Sequence, residues 1–399
     1  MARDADAARA LQPVPLALAG LGLAAVAGLG YGEGGGKLAL AALIGGGAGA
    51  SLYHASFGFT AAWRRIVRER RGAGLRAQML LIFLACCLSF PLMGGWGEAS
   101  GVAMSGWVLP MGVASALGAF LFGIGMQLGG GCASGTLFTV GGGSSRMVVV
   151  LAAFIGGSVW ATAHWEFWSA LPRTRSGVSL LHALGGPEPA LAAMAALLGA
   201  IWAASAVVER RAHGALEAPR RTGSLLRGPW SPTLGALALA LICWLTFVTL
   251  GRPWGVTSGF ALWGAKIAAA AGIPVQDWSY WSGWRAGGLE RSVFADATSV
   301  MNFGIVAGAM AAAAAAGRWA PAPKLSARDL ATAVAGGLLM GYGARLAYGC
   351  NIGAYLGGLV SGSLHGVWWL AWGFAGSVFG TWARARLAMD PPLSPRPAV

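Results

Sequence analysis

Residues 14–31 read VPLALAGLGLAAVAGLGY, eighteen residues without a charge. Crossing the hydrocarbon core of a bilayer takes about 20 mostly apolar residues in a helix, because only a helix pairs its own backbone groups there. Runs of this kind recur at 38–62, 77–95, 107–128, 147–168, 189–208, 229–250, 298–317, 329–348 and 364–383. The chain is therefore expected to be an all-α membrane protein, a polytopic helical bundle of about ten spans. Segment 254–271 is apolar but interrupted by glycines and Lys266, and is expected to form a short or re-entrant helix. Residues 272–297, with Asp277, Arg285, Glu290, Arg291 and Asp296, are too polar to span and are expected to form an external loop with short helices. Residues 169–188 are also placed outside.

Composition excludes the soluble alternative. Charged residues are 11% of the 399, where a soluble domain carries about 25%. The 65 glycines and 19 tryptophans suit closely packed transmembrane helices with interfacial anchors. The net charge of +14 is not a nucleic-acid footprint, since the arginines lie in short loops rather than on one basic face. Of 28 basic residues 25 are Arg, densest at 64–76 and 210–227, with thinner groups at Arg318, Lys324 and Arg328 and at Arg384 and Arg386. Short basic loops beside apolar spans mark the cytoplasmic side. With the N-terminus inside, loops 63–76, 209–228 and 318–328 all fall inside, and both termini are cytoplasmic. The expected location is the plasma (inner) membrane, with lipid as the surrounding partner. Arg3 and Arg9 before an apolar run resemble a secretory signal, but the acidic Asp4 and Asp6 favour a retained first helix.

Five cysteines lie in or beside apolar segments: Cys86, Cys87, Cys132, Cys243 and Cys350. No disulfide framework, metal-ligand spacing, cofactor motif or catalytic constellation is present, and GGGSSR lacks the ending of a phosphate-binding loop. No enzyme activity, metal or cofactor is expected.

Two of these cysteines end similar glycine-rich stretches, FGIGMQLGGGCASG at 122–135 and MGYGARLAYGCNIG at 340–353. Gly123, Gly125, Leu128, Gly131, Cys132 and Gly135 match Gly341, Gly343, Leu346, Gly349, Cys350 and Gly353 at an offset of 218. Gly157-Ser158-Val159 matches Gly376-Ser377-Val378 at 219, and Gly58-Phe59 resembles Gly259-Phe260. The expected topology carries span 107–128 inward and span 329–348 outward. One motif in opposite orientations is the mark of inverted-repeat transporters. Residues 1–228 and 229–399 are read as the two halves.

A glycine-rich break at membrane depth must be covered by protein or line a cavity. The half-helix that follows offers N–H groups to an anion. Ser134 and Asn351 are placed to cap those half-helices, and the glycines let backbone approach a solute. The thiols of Cys132 and Cys350 then line its path, together with Gly131, Gly135, Gly349 and Gly353. Arg345, one turn before Cys350, is a costly charge at or near membrane depth and a candidate anion contact. Gln127 and His365 are further candidates. The alternative remains that both cysteines are small packing residues, that Arg345 snorkels, and that His365, like His54, is a packed histidine. Arg146 is expected at an interface.

The motifs MQLGGGCASG and ARLAYGCNIGAYLGGLVSGSLHGVWW, with the intervening ALWGAK, resemble the YeeE/YedE family of sulfur-transport membrane proteins. The resemblance implies an hourglass-shaped inverted-repeat protein that carries thiosulfate or a related sulfur anion into the cytoplasm. It also implies that Cys132 and Cys350 hand the solute along by S–H···S contacts. Members often have Phe-Cys-Phe where this chain has Phe57-Gly58-Phe59, so one relay thiol is absent and the substrate extends to sulfite, another sulfur oxyanion or a selenium compound. The expected function is a permease for a small sulfur anion. The alternatives are a membrane-embedded carrier that accepts persulfide sulfur from a cytoplasmic sulfurtransferase or sulfur-carrier protein, and a purely structural subunit.

Overall fold

A computed structural model describes residues 10–96, 101, 104–321 and 324–390. Arg3, Asp4, Asp6 and Arg9, on which the retained-helix reading rests, lie outside the described residues. The helices in order are α1 (Pro13–Ala55), α2 (Phe59–Arg68), α3 (Ala73–Pro91), α4 (Val113–Gly129), α5 (Ala133–Gly141), α6 (Ser145–Ala163), α7 (Trp165–Ala170), α8 (Leu180–Ala183) and α9 (Pro187–His213). They continue with α10 (Pro232–Leu250), α11 (Thr257–Ala270), α12 (Ala286–Glu290), α13 (Ala297–Ala315), α14 (Ala327–Leu346), α15 (Gly357–Leu359) and α16 (Leu364–Arg386). A π-helical turn, Asn351–Leu356, leads into α15. The chain is an all-α polytopic membrane protein.

Eight helical stretches among the described residues are long and apolar enough to cross a membrane. The first, Pro13–Arg68, is not one rod. Gly34 and Gly35 leave helical geometry, Gly35 at a φ of 64°, and the chain folds back so that Gly46 lies beside Leu23. Only glycine takes that backbone without strain. The two arms of α1 fall on the expected runs 14–31 and 38–62, and α16 on 364–383. The apolar run 38–62 ends earlier than expected, at Ala55, and resumes as α2 after Ser56, Phe57 and Gly58. The basic segment 63–76 is mostly helical, since α2 continues to Arg68 and α3 begins at Ala73. Segment 254–271 is the short helix α11, and 272–297 is a chain of 3₁₀ turns and α12, as expected. Lys266 interrupts the apolar face of α11 because its Nζ donates to the carbonyls of Leu289 and Arg291, both at 2.6 Å, tying the helix to that loop.

In lipid there is no hydrophobic gain in bringing helices together, so close packing and hydrogen bonds must hold them. Glycines provide the closeness. A Cβ on Gly308 would strike the carbonyl of Gly46, and one on Gly49 the carbonyl of Ile305, so α13 lies directly against the second arm of α1. The innermost four helices pack in a patterned way. Gly118 on α4 lies against Gly343 and Ala347 on α14, while Gly336 on α14 lies against Gly125 and Gly129 on α4. Adding 218 to one set of numbers gives the other. Gly123 meets Gly373, Gly376 and Ser377 on α16; Gly341 meets Phe154, Gly157 and Ser158 on α6. These partners differ by 219.

At the arginine-rich end, Glu209 near the end of α9 is fully buried and gathers the loops. Its carboxylate accepts from Arg76 Nη2 at 2.8 Å, Arg71 Nη1 at 3.2 Å, and the backbone N–H groups of Gly72 at 3.0 Å and Glu217 at 2.9 Å.

Candidate functional site: two broken helices

Each Gly-Cys motif forms a break. α4 stops at Gly129, Gly130 turns at a φ of 89°, and Cys132 becomes the residue that caps α5. α14 stops at Leu346, Tyr348 turns at a φ of 60°, and Cys350 caps the turn Asn351–Leu356. Gly130 and Tyr348 are equivalent under the 218 offset. A tyrosine in the left-handed region is uncommon and costs on the order of 1 kcal/mol or more, so the second break is held against its local preference. The carbonyl of Cys132 accepts from Thr136 N at 2.7 Å, and that of Cys350 from Ala354 N at 2.8 Å. Both thiols are buried, and α5 packs against the Asn351–Leu356 turn, so the two breaks meet.

The expected caps are not the caps. Ser134 and Asn351 sit inside the first turn, after the cysteines. Ser134 Oγ lies 3.6 Å from Cys132 Sγ, and both amide atoms of Asn351 are buried with no hydrogen-bond partner among the described residues. The main-chain direction changes earlier than the polar side chains suggested, two residues before Ser134 and one before Asn351. Gly131, Gly135, Gly349 and Gly353 are all buried beside the cysteines. A Cβ on Gly135 would stand 3.4 Å from Cys132 Sγ. A Cβ on Gly353 would stand 3.5 Å from the indole of Trp107, which also lies against Gly255 and Gly357.

The first break is clamped by cations. Arg384 Nη1 donates to Gln127 O at 2.6 Å, and Arg146 donates to Leu128 O at 2.9 Å and to Gly129 O. The last carbonyls of α4 thus end on two guanidinium groups, a favourable pairing with the negative end of the helix. Gln127 spends its amide donors on Thr60 O at 3.1 Å and Ser377 Oγ at 2.7 Å, leaving an unpartnered acceptor rather than a donor. It joins α2, α4 and α16.

The second break is different. Arg345, the counterpart of Gln127, is 6% exposed, and no carboxylate pairs with it among the described residues. Its Nη1 donates to Tyr280 Oη at 3.0 Å and its Nη2 to Thr257 Oγ1 at 2.7 Å, while Nε has no partner. His365 is fully buried 5.5 Å from the Tyr348 ring, with neither ring nitrogen hydrogen-bonded. Buried polar groups without partners are few in folded proteins; among the described residues Arg345 and Asn351, on either side of Cys350 in the chain, carry such atoms, and so does His365 beside Tyr348. His54, by contrast, packs 5.4 Å from Trp230.

Two cavities approach the breaks. One of about 960 Å³ is lined by Phe57, Gly58 and Ala61 and by Arg65, Arg76 and Arg220. A Cβ on Gly58 would meet nothing within 4 Å, so the residue opens into that space. The other, about 160 Å³, is lined by Ser258, Leu262, Tyr280, Arg285 and Arg291. Phe57 and Ala61 correspond to Ser258 and Leu262 in the alignment of Gly58-Phe59 with Gly259-Phe260. The cavities therefore touch matching faces of α2 and α11.

A family described as sulphur transport matches residues 54–379, from before the first break into α16. The chain belongs to the sulphur transport family. It is similar to the "Probable transporter YedE" of Salmonella typhimurium, 34% identical over 167 residues, which is 41% of this chain and 39% of that protein. The protein of the same name from Escherichia coli is 32% identical over the same shares. Both matches thus cover about two fifths of the relative's length. The "Thiosulfate transporter TsuA" of Spirochaeta thermophila is 31% identical over 287 residues, 68% of this chain and 77% of that protein. These relatives are named as transporters, in keeping with the lack of an enzymatic constellation in the sequence.

Several groups at the two breaks carry no sequence signal of their own. Tyr280 and Thr257 reach Arg345 from 65 and 88 residues away. Trp107 lies in a stretch read as helix and is instead in the non-helical lead into α4. Arg384 appeared only as one of a terminal basic pair.

Proposed function

We propose that the chain is a multi-pass permease of the plasma (inner) membrane that imports a small sulfur-containing anion, thiosulfate foremost, with both termini cytoplasmic. The observation that carries this reading is Arg345, a buried cation with only hydroxyl partners five residues before Cys350. An uncompensated buried charge costs several kcal/mol, and a transiting anion is the counter-ion that offsets it. Asn351, next to that cysteine in the chain, and His365, beside Tyr348, supply further unpaired polar atoms. Family membership supports the sulfur chemistry, and the relative named as a thiosulfate transporter supports that anion first.

The solute path runs between the cavities through Cys132 and Cys350, with the glycines at 131, 135, 349 and 353 allowing close backbone approach. Contacts repeated at offsets of 218 and 219 support two inverted halves, 1–228 and 229–399. The thiols act as weak S–H donors to the anion's sulfur and oxygen atoms. Gln127 serves as a clamp on the first break rather than as an anion donor. No coupling group for protons is assigned, and import follows consumption of the solute inside. A persulfide carrier needs an accessible thiolate; Cys132 and Cys350, at 1% and 0% exposure, favour passage over sulfur transfer.

The test is uptake of labelled thiosulfate by cells lacking other sulfate and thiosulfate importers. Arg345→Gln, at wild-type membrane abundance, lowers uptake about tenfold or more, a change equal to about 1.4 kcal/mol of lost anion interaction. Undiminished uptake in that variant overturns the assignment.

A further inference from the structure

The smaller cavity, about 160 Å³, falls below the roughly 300–1,000 Å³ of pockets for drug-sized ligands, so it suits a small one. Its cations outnumber its acids. Arg285 and Arg291 both line it, and among the described residues no carboxylate pairs with either. The acid in its wall is Asp296, which caps α13 by accepting from Ser299 N at 2.8 Å and Ser299 Oγ at 2.7 Å. That charge is spent on a helix N-terminus, with the guanidinium of Arg252 also in its field. Asp277 and Glu290 of the same loop are not among the lining residues.

Arg285 is held by rings alone. Its guanidinium carbon lies 4.5 Å from the ring centre of Tyr280 and 4.5 Å from that of Trp284, and among the described residues the side chain donates no hydrogen bond. Stacking uses the flat face of a guanidinium and leaves its in-plane N–H groups for an acceptor. Trp284 is 81% exposed, so its ring serves the arginine rather than the core. Arg291 Nε returns to Gly287 O at 3.1 Å, and its two terminal nitrogens have no partner among the described residues. Tyr280 Oη accepts from Arg345 Nη1 and keeps its own hydrogen to donate.

We infer that Arg285, stacked on Tyr280 and Trp284, binds a small oxyanion such as thiosulfate or sulfate in this cavity, with Arg291 as the second contact. The free edge of the guanidinium offers two parallel N–H groups to two oxygens of a tetrahedral anion. Tyr280 touches both cations, Arg285 through its ring and Arg345 through its hydroxyl, so one side chain separates this position from the second break. That the bound anion then moves on past Arg345 rests on the permease reading; the binding site itself does not.

The test measures binding in purified protein carrying Arg345→Gln, which removes the other candidate anion contact. Calorimetric titration with thiosulfate, and separately with sulfate, is expected to show that binding persists. Adding Arg285→Gln raises the half-saturating concentration about tenfold or more, as for the loss of hydrogen bonds to a charged group. The melting temperature without anion is expected to stay unchanged, because the side chain holds no hydrogen bond in the fold. Arg175→Gln, which removes the same charge from an exposed arginine outside the cavity, leaves the half-saturating concentration as it was. No binding in the Arg345→Gln protein, no change on adding Arg285→Gln, or an equal rise with Arg175→Gln overturns the site. Arg345-dependent uptake together with binding indifferent to Arg285 sinks the site and leaves the permease reading standing. Arg285-dependent binding without uptake does the reverse.

Discussion

Tyr280 Oη accepts a hydrogen bond of 3.0 Å from Arg345 Nη1, joining the 272–297 loop to the helix that breaks at Cys350. The tyrosine also lines the smaller cavity, where the guanidinium of Arg285 lies 4.5 Å from its ring. It therefore aims a buried cation that, among the described residues, has no carboxylate partner. Tyr280→Phe keeps the ring and removes the acceptor. Its expected effect is a rise of about tenfold or more in the thiosulfate concentration for half-maximal uptake, from a lost hydrogen bond to a charged group of about 1.5 kcal/mol or more. Measuring that concentration alongside Arg345→Lys checks the account. Lysine keeps the charge but loses the fork and is expected to be impaired as well.

Glu209 holds the arginine-rich loops together and is not itself among the residues lining either cavity. Glu209→Gln leaves Arg76, already bearing one unpartnered nitrogen, without its carboxylate. Removing one partner from a buried pair costs about 3 kcal/mol. The expected result is a lower melting temperature of the purified protein, with the thiosulfate midpoint unchanged in the fraction that remains folded.

Gly308 tests the close approach of α13 to α1. A valine there has no room against the Gly46 carbonyl, and overpacking costs about 1–3 kcal/mol. Gly308→Val is expected to reduce both melting temperature and membrane abundance. The same change at Gly20, which has nothing within 4 Å of its Cβ position, is expected to leave both near wild type.

Asp390 sets a pH dependence. Hydrogen bonding from Arg384, the largest influence, and nearby arginine charge hold its carboxyl below the ordinary value of 3.8 despite burial. A depressed carboxyl stabilises the fold fully above the unfolded value and loses that contribution as pH falls through the folded one. The melting-temperature difference between wild type and Asp390→Asn is therefore expected to be constant near neutral pH and to shrink below about pH 4, the ordinary aspartate range.

How much of this was legible follows from the kind of signal each residue leaves. Runs of apolar residues mark helices because lipid forces the backbone into them, so α4, α13, α14 and α16 lie close to where the sequence placed them. The first Gly-Cys break was legible because three successive glycines, 129–131, weaken a helix wherever they stand, and the second, with Ala347-Tyr348-Gly349, was legible through its match to the first. The break at Ser56-Phe57-Gly58 was not, because it is one glycine in an apolar run and is imposed by packing of α2. Ser134 and Asn351 were mistaken for caps because side-chain preference cannot locate where the main chain turns. Arg345 stood out as a charge in an apolar span. That it has no carboxylate is a fact about residues 65 and 88 positions away, which no local pattern contains.

The central claim is that an anion passes the two buried thiols. Purified protein in liposomes, loaded with labelled thiosulfate outside, measures this directly in wild type, Cys132→Ala and Cys350→Ala. The account predicts time-dependent accumulation with wild type, and loss of most of it in each variant with melting temperature preserved. Equal accumulation in all three proteins would contradict it.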